Sequence, residues 1–531
     1  MKKHLFWVAT LAMGLYACSD NSLTPDGDVV ENDPAGSTDA PAVYHAELAS
    51  VASSQSRVSV APQSRASESQ LTLIAEIDNL SKEEGRISGF TSEDRYLSAT
   101  CVYYDQNTGK YYVTYHMQGN NYNTDQTVET TGFIETFSLA ENQGDGLKYV
   151  PVLDKIYSAK NPAVLDFDFN HLYFDNLSDF NYNQRNLFPA ESGVRIIAGG
   201  HSSKPTVGGK YDTKAIIAQL NLQDETIDYT PVLTGNKILD ANGKSLGDED
   251  ARDVNSIIRK WDYYYLATRK GLAVLYAGGD KKFQPITDAD DKPYFIYTPG
   301  SAKHVVHQHV PGNRNSYFGL LYLNNPTPEG GLTASSHSPA TLAKFGIVDV
   351  TGRLCRIEAG NPTINNITGY NIDEWVDLQP INGEITPMDG KNVIYWGEDD
   401  NRYVALGKGG LYAYHRDYYN DGKVLTFTDA KEGGSRPVNG LFVERLNPNP
   451  ETGAREGFIY VANGACLTIL DERNLDKVAE FSAFKEGDAS ANYVHVVSTE
   501  EKTNGQTPDR IITVAYGQAG VKVFKFVPPT Y

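Results

Sequence analysis

The chain has 531 residues, 40% hydrophobic and 21% charged, with 67 acidic against 47 basic side chains and a formal net charge of −20. That balance excludes a nucleic-acid binder, whose phosphate partners demand a basic footprint. The four cysteines form no CxxC or Cys/His cluster, so nothing in their spacing points to zinc.

In chain order, the first element is a secretory signal over residues 1–17. Lys2, Lys3 and His4 precede the apolar run Leu5–Met13, which fits the roughly 7–15 residues of a signal core and falls short of the about 20 needed to span a bilayer. Leu15-Tyr16-Ala17-Cys18 resembles the bacterial lipobox. The resemblance implies that Cys18 is diacylated and becomes the mature N-terminus, and two acyl chains anchor durably where one is marginal. Simple secretion with cleavage near Ala17 is the alternative. The acidic residues after Cys18, beginning with Asp20, resemble those of Bacteroidetes lipoproteins displayed on the outer face of the outer membrane; the periplasmic face stays open. Removing Cys18 leaves Cys101, Cys355 and Cys466, an odd number that argues against a disulfide framework.

Residues 18–69 form the second element. They are rich in Ser, Ala, Asp, Pro and Thr, with Tyr44 the lone aromatic residue. Such a segment buries too little apolar surface to offset the entropy of ordering. The expectation is a flexible tether with a reach of ~40 Å.

From residue 70 to 531 the texture is all-β. One phrase recurs: a β-rich run, a Gly-containing turn and a second β-rich run, as in "YYYLATRKGLAVLYAG" (263–278), "NRYVALGKGGLYAYHRD" (401–417), "GFIYVANGACLTILDE" (457–472) and "RIITVAYGQAGVKVFKF" (510–526). Each fits the middle strands of a propeller blade. "DVNSIIR" (253–259), "VNGLFVER" (438–445) and "NYVHVVS" (492–498) fit inner strands. With looser copies upstream, the expectation is a seven-bladed β-propeller of about 66 residues per blade, longer than the roughly 40–45 of compact WD40 blades. The last copy leaves no room for a fourth strand, so "QLTLIAEIDNL" (70–80) is expected to supply it and close the ring. "FGIVDVTGRLCRI" and "CLTILDERNLDKVAEF" resemble LVIVD-repeat propellers. The resemblance implies a secreted or surface propeller, often without enzymatic activity, and carries no catalytic residue over.

The residues that open the inner strands suggest a ligand rim at the channel mouth. Arg252 and Asn255 precede one strand, Arg436 and Asn439 another, Asn492 a third and His304 a fourth, with His307 and His495 expected in matching places three residues on; Lys303 and Asp389 are candidates to join them. Arg offers bidentate binding of carboxylates, whereas Asn also serves as an ordinary turn residue before a strand. "HVVHQH" places His307 and His309 on one strand face without a third ligand, so no metal is assigned and no cofactor is expected. "DYYNDG" (417–422) puts Tyr419 where a calcium loop needs an oxygen ligand. The 34 tyrosines serve either strand packing or a glycan or peptide platform.

No GxSxG, HExxH or P-loop sequence occurs. The functional expectation is therefore a non-catalytic binding or accessory module, membrane-attached through its lipid. By address it is matched to an outer-membrane transporter of SusC/SusD type handling glycans or peptides. A propeller hydrolase or lyase and an adhesion protein are the rivals, since the fold alone hosts many functions.

Overall fold

The computed structural model describes residues 43–53, 70–80 and, with breaks, 95–529. The signal segment, Cys18, Cys355, Asp389, Arg436 and the loop 417–422 lie outside the described residues. Among the described residues, no helix is long and apolar enough to cross a membrane.

Short β-branched and aromatic runs broken by Gly, Asn and Asp fold into antiparallel sheets of four sequential strands. The first sheet holds Arg95–Asp105, Lys110–Gly119, Phe133–Glu141 and Tyr149–Ser158, and the second Leu165–Asn176, Val194–Pro205, Tyr211–Asn221 and Thr226–Pro231. The third holds Val254–Lys260, Tyr263–Thr268, Gly271–Tyr276 and Phe295–Tyr297. The fifth holds Asn392–Trp396, Arg402–Leu406, Leu411–Tyr414 and Leu425–Phe427, and the sixth Val438–Arg445, Gly457–Asn463, Cys466–Asp471 and Lys477–Ser482. The last combines Tyr493–Ser498, Arg510–Ala515 and Val521–Phe526 with Leu71–Ile77 from the N-terminal side. These six sheets have described side chains on every strand, where seven blades were expected. Between the third and fifth, Ala302–Gln308, Tyr317–Asn324, Leu342–Asp349 and Asp373–Leu378 pair as a fourth sheet in backbone register. Its side chains are described only on the inner strand and at Leu320 and Leu321.

The first strand of each sheet packs beside that of the next, and Tyr493–Ser498 returns to Arg95–Asp105. A ring of radially packed sheets around an axis is a β-propeller. The core is therefore divided into layers between neighbouring sheets. One holds Phe458, Tyr460, Ile469, Ile512 and Phe524 between the sixth and last sheets, another Ile197, Ile217, Leu266 and Phe283 between the second and third.

Closure follows the sequence expectation. Leu71–Ile77 pairs antiparallel with Val521–Phe526, so the two ends of the domain share one sheet. Asn79 Nδ2 then donates to the carbonyls of Leu97 and Gly517, both at 2.9 Å, and ties the closing segment to the first sheet. Gly520 sits at φ +77°, and a Cβ there would collide with the Ile77 carbonyl, so glycine is required where the closing strand crosses the turn.

The expected tether is corrected at residues 44–53. Tyr44–Glu47 pairs with the outer strand of the second sheet and Ala49–Ser53 with that of the first. Between them Leu48 is buried, and its N–H bonds the Glu225 carbonyl at 2.6 Å. Composition alone does not reveal this, because the segment is ordered by backbone pairing to two edges already present, with little apolar area of its own.

Candidate functional site

The inner strands share one device. In the first, second, third and sixth sheets the register of the inner strand slips by one residue, at mid-strand Thr100 and Asn170 and near the strand start at Asn255 and Asn439. The extra residue of a bulge is freed from the ladder and re-aimed. Each side chain reaches the neighbouring sheet and donates to the carbonyl just before the matching position there. Thr100 Oγ1 reaches Phe169 (3.3 Å), Asn170 Nδ2 reaches Val254 (3.4 Å) and Asn255 Nδ2 reaches Ala302 (2.7 Å). Asn439 Nδ2 reaches Ala491 (3.0 Å), and Asn492 Nδ2 reaches Ala99 (3.1 Å) across the closure. In the fourth sheet the slip falls at Lys303, and in the fifth the matching register position is Asn392.

The asparagines singled out in the sequence thus spend their amide N–H groups on joining sheet to sheet. Of the two readings, ligand contact or strand-entry structure, the geometry favours the structural one. Asn439→Ala removes two hydrogen bonds from a buried amide, to Ala491 and to Ser490 Oγ. The expected loss is about 1–3 kcal/mol, read as a lower denaturation midpoint by urea titration.

The same register corrects the expected histidine match. Lys303, not His304, stands where Asn492 stands, so His304 matches Tyr493 and His495 matches Val306. His307 lies one place further along the fourth inner strand. Arg252 lies in the loop entering the third sheet at φ +69°, with its backbone N–H bonded to the Asp250 carboxylate.

One step past the bulge, the seven matched positions are Cys101, His171, Ser256, His304, Val393, Gly440 and Tyr493. Two steps further they are Tyr103, Tyr173, Ile258, Val306, Tyr395, Phe442 and His495. Ring contacts show where these side chains point. His171 and Tyr493 meet edge to face at 6.3 Å although the first sheet stands between their own sheets, which requires both to lean toward the axis. His495 packs against Tyr103 at 4.5 Å on one side and Phe442 at 6.3 Å on the other. Not one of the fourteen positions carries Asp, Glu, Lys or Arg, in a chain that is 21% charged. These positions are aromatic, imidazole, aliphatic and small, and several pack into the layers between sheets: Cys101 is 1% exposed in the layer toward the second sheet, and Tyr173, Ile258, Tyr395 and Phe442 lie against neighbouring core layers. Tyr103 stands in one of the tyrosine pairs noticed in the sequence, whereas His171, Phe442 and Tyr493 were not singled out; counting along each strand from the bulge position finds them.

Several titratable groups sit along these inner strands. His304 and His495 are both pushed down to about 4 by burial, against a backbone hydrogen bond at Ile394 and at Tyr104 respectively. Burial alone pushes the Lys303 amine down to about 8, and burial, together with Cys101 beside it, raises the Tyr493 hydroxyl well above its usual value. All four side chains keep partial solvent access, as expected of groups lining an internal channel. Near the channel, burial opposes ionisation of Asp253, but His201 Nδ1 at 3.5 Å, Arg269 and Asn170 Nδ2 at 2.8 Å hold its pKa below the usual carboxylate value. Among the described residues, no group of three His, Cys, Asp or Glu is placed to hold a metal.

The depressed histidines predict a pH dependence. The unfolded chain protonates its histidines near pH 6.5, whereas His304 and His495 resist protonation until about 4. Their contribution is intact above about pH 6.5 and is lost as pH falls toward 4, because the unfolded state takes up protons first. The His304→Gln, His495→Gln double variant should therefore lose less Tm than the native protein between pH 7 and pH 4.5.

Among the abundant tyrosines, Tyr111 lies between Tyr104 (4.4 Å) and Phe137 (4.8 Å) as core, and Tyr103 stacks on Phe174 of the second sheet at 3.5 Å, so both tyrosines serve packing.

No protein-family model and no curated protein matches the chain. Among solved structures, it is similar to the Myceliophteria thermophila Cps50 (Swd1) β-propeller domain at 8% identity and TM-score 0.28, covering 82% of this chain and 100% of that one. The Neurospora crassa Pan2 WD40 domain matches at 8% identity and TM-score 0.34, covering 87% and 96%. The dihydro-heme d1 dehydrogenase NirN matches at 10% identity and TM-score 0.32, covering 88% and 74%.

Proposed function

We propose that the chain is a lipid-anchored, surface-exposed binding protein of Bacteroidetes type that captures a glycan or peptide in its channel. In this reading it serves an outer-membrane transporter of SusC/SusD type as a non-catalytic accessory, and Ala302–Leu378 counts as a complete blade, so that the ring numbers seven. The observation that supports the binding role is the ring of fourteen inner-strand positions without a carboxylate, with the Lys303 amine beside it on the fourth sheet. It offers no pair of carboxylates for the general acid and base that a glycoside hydrolase uses. The lipobox-like Cys18 supports the address, and an acidic surface suits an extracytoplasmic protein.

The test is purification from native outer membrane, with partners identified by mass spectrometry. The expected result is recovery with a transporter, and release of the Cys18→Ser variant into the soluble fraction. Recovery alone, with turnover of a polymer, would favour the enzyme reading; recovery alone with attachment to cells would favour the adhesin.

A further inference from the structure

We infer that one corner of the propeller, formed by the hairpin 233–250 and the exposed start of the strand Tyr44–Glu47, docks onto a lipid surface. This rests on the lipid-anchored reading and deepens it by naming the face that meets the membrane.

The hairpin leaves the end of the second sheet's outer strand, Thr226–Pro231, and returns to the third sheet's inner strand, Val254–Lys260. Its two strands, Leu233–Leu239 and Ser245–Asp250, pair only with each other. The tip is apolar: Ile238, Leu239 and Leu246 are 40%, 57% and 39% exposed. Beside the base, Tyr297 is exposed and its hydroxyl meets Asn236 Nδ2. The strand Tyr44–Glu47 runs antiparallel to Thr226–Pro231 with Tyr44 opposite Tyr229. Its exposed start, Val43 and Tyr44, therefore lies at the end from which the hairpin departs. Among the described residues, six of the seven exposed large apolar side chains gather at this corner, and the seventh is Val527, just past the last sheet's Val521–Phe526. Single exposed apolar side chains are ordinary, but a cluster marks a protein or membrane contact.

Three observations choose lipid. First, the chain before Val43 runs to Cys18 through residues 19–42, so the proposed anchor attaches at this corner. Second, Ile238 and Leu239 are successive strand residues, whose side chains point to opposite faces. Both are exposed, so the ribbon is apolar on its two sides. A flat protein surface covers one side, whereas a lipid surface closes around the tip. Third, the charge at the tip suits phosphate headgroups. The Asp240 carboxylate is turned onto its own loop, where it accepts from the N–H groups of Asn242 (2.9 Å) and Lys244 (2.8 Å). The Lys237 and Lys244 side chains are exposed, and lysine stems lie along apolar surface with the amine in the polar layer. Toward the base, Asp248 stands opposite Lys237, Glu249 pairs with Lys270, and the Asp250 carboxylate accepts from the Arg252 N–H.

The experiment uses the full-length protein as processed in its native membrane, purified in detergent and reconstituted on phosphatidylethanolamine–phosphatidylglycerol vesicles. Leu239→Cys carries an environment-sensitive nitrobenzoxadiazole label. Lys477→Cys, at an exposed position on the outer strand of the sixth sheet, carries the same label as control. Native protein carried through the labelling sets the background. The expected result is blue-shifted emission at 239, quenched several-fold more by doxyl lipids than emission at 477. Ile238→Asp with Leu246→Asp should remove that quenching while flotation with the vesicles and Tm stay unchanged. Protein that floats without quenching at 239 overturns the docking and leaves the anchor standing, and equal quenching at 239 and 477 overturns the choice of corner. A blue shift without doxyl quenching points to a protein contact and overturns the lipid assignment. Protein that does not float overturns both the anchor and the docking.

Discussion

Deleting the chain up to residue 82 should open the ring and abolish cooperative unfolding near the native Tm. The deleted strand is a complete outer strand of the last sheet, paired from Leu71↔Phe526 to Ile77↔Val521. It buries Leu71, Ile74, Ile77 and, just beyond, Leu80, each no more than 5% exposed. At about 1.5–3 kcal/mol per buried Leu or Ile, the four contribute on the order of 6–12 kcal/mol as an upper bound. That is comparable with the whole stability of a typical domain, about 5–15 kcal/mol. The Asn79 bonds to Leu97 and Gly517 are lost as well. Gly520→Val tests the same junction without shortening the chain, because its Cβ would meet the Ile77 carbonyl. Differential scanning calorimetry of both variants is decisive: a truncated protein as heat-stable as the native one would refute closure by this strand.

Asp175→Ala should cost about 3–5 kcal/mol, the usual loss when one partner of a buried ion pair is removed. Asp175 is fully buried between the second and third sheets. Its carboxylate accepts from Arg195 Nη2 at 2.8 Å, from Arg259 Nε, and from the Tyr264 hydroxyl at 2.7 Å. Arg195 also donates to the Ala277 carbonyl at 2.7 Å, which fixes it in place. Both guanidinium groups are only 8% exposed, so removal of the carboxylate leaves two confined cations without their shared counter-charge. Replacing Asp175, Arg195 and Arg259 together by Leu and Met should be far milder than Asp175→Ala alone, since apolar groups of similar volume leave nothing unsatisfied. Chemical denaturation of the single and triple variants checks both statements. A triple variant as damaged as the single would show that packing, not charge pairing, holds this junction.

Much of the architecture is legible in the chain. The β-Gly-β phrases fall on the paired middle strands Tyr263–Thr268 with Gly271–Tyr276, Gly457–Asn463 with Cys466–Asp471, and Arg510–Ala515 with Val521–Phe526. The closing strand is legible because the last repeat lacks a partner. The inner strands Leu165–Asn176 and Asn392–Trp396 fall outside the recognised phrases. The site was half visible. Asn255, Asn439 and Asn492 stand out as a repeat, but a one-residue bulge decides whether such a repeat faces a ligand or a neighbouring carbonyl. It also shifts every later position by one, which is why His307 and His495 do not fall in matching places. A bulge is a property of paired strands, and a single strand's sequence does not display it.

The central claim is that ligand binds inside the channel, not on its rim or on the outer edges. Its most direct test uses Val393, on the inner strand Asn392–Trp396 of the fifth sheet, whose side chain is partly exposed. Val393→Cys, labelled with a bulky maleimide, should abolish glycan or peptide binding while leaving circular dichroism unchanged, with the labelled native protein as control. Full binding by the labelled variant would contradict the account.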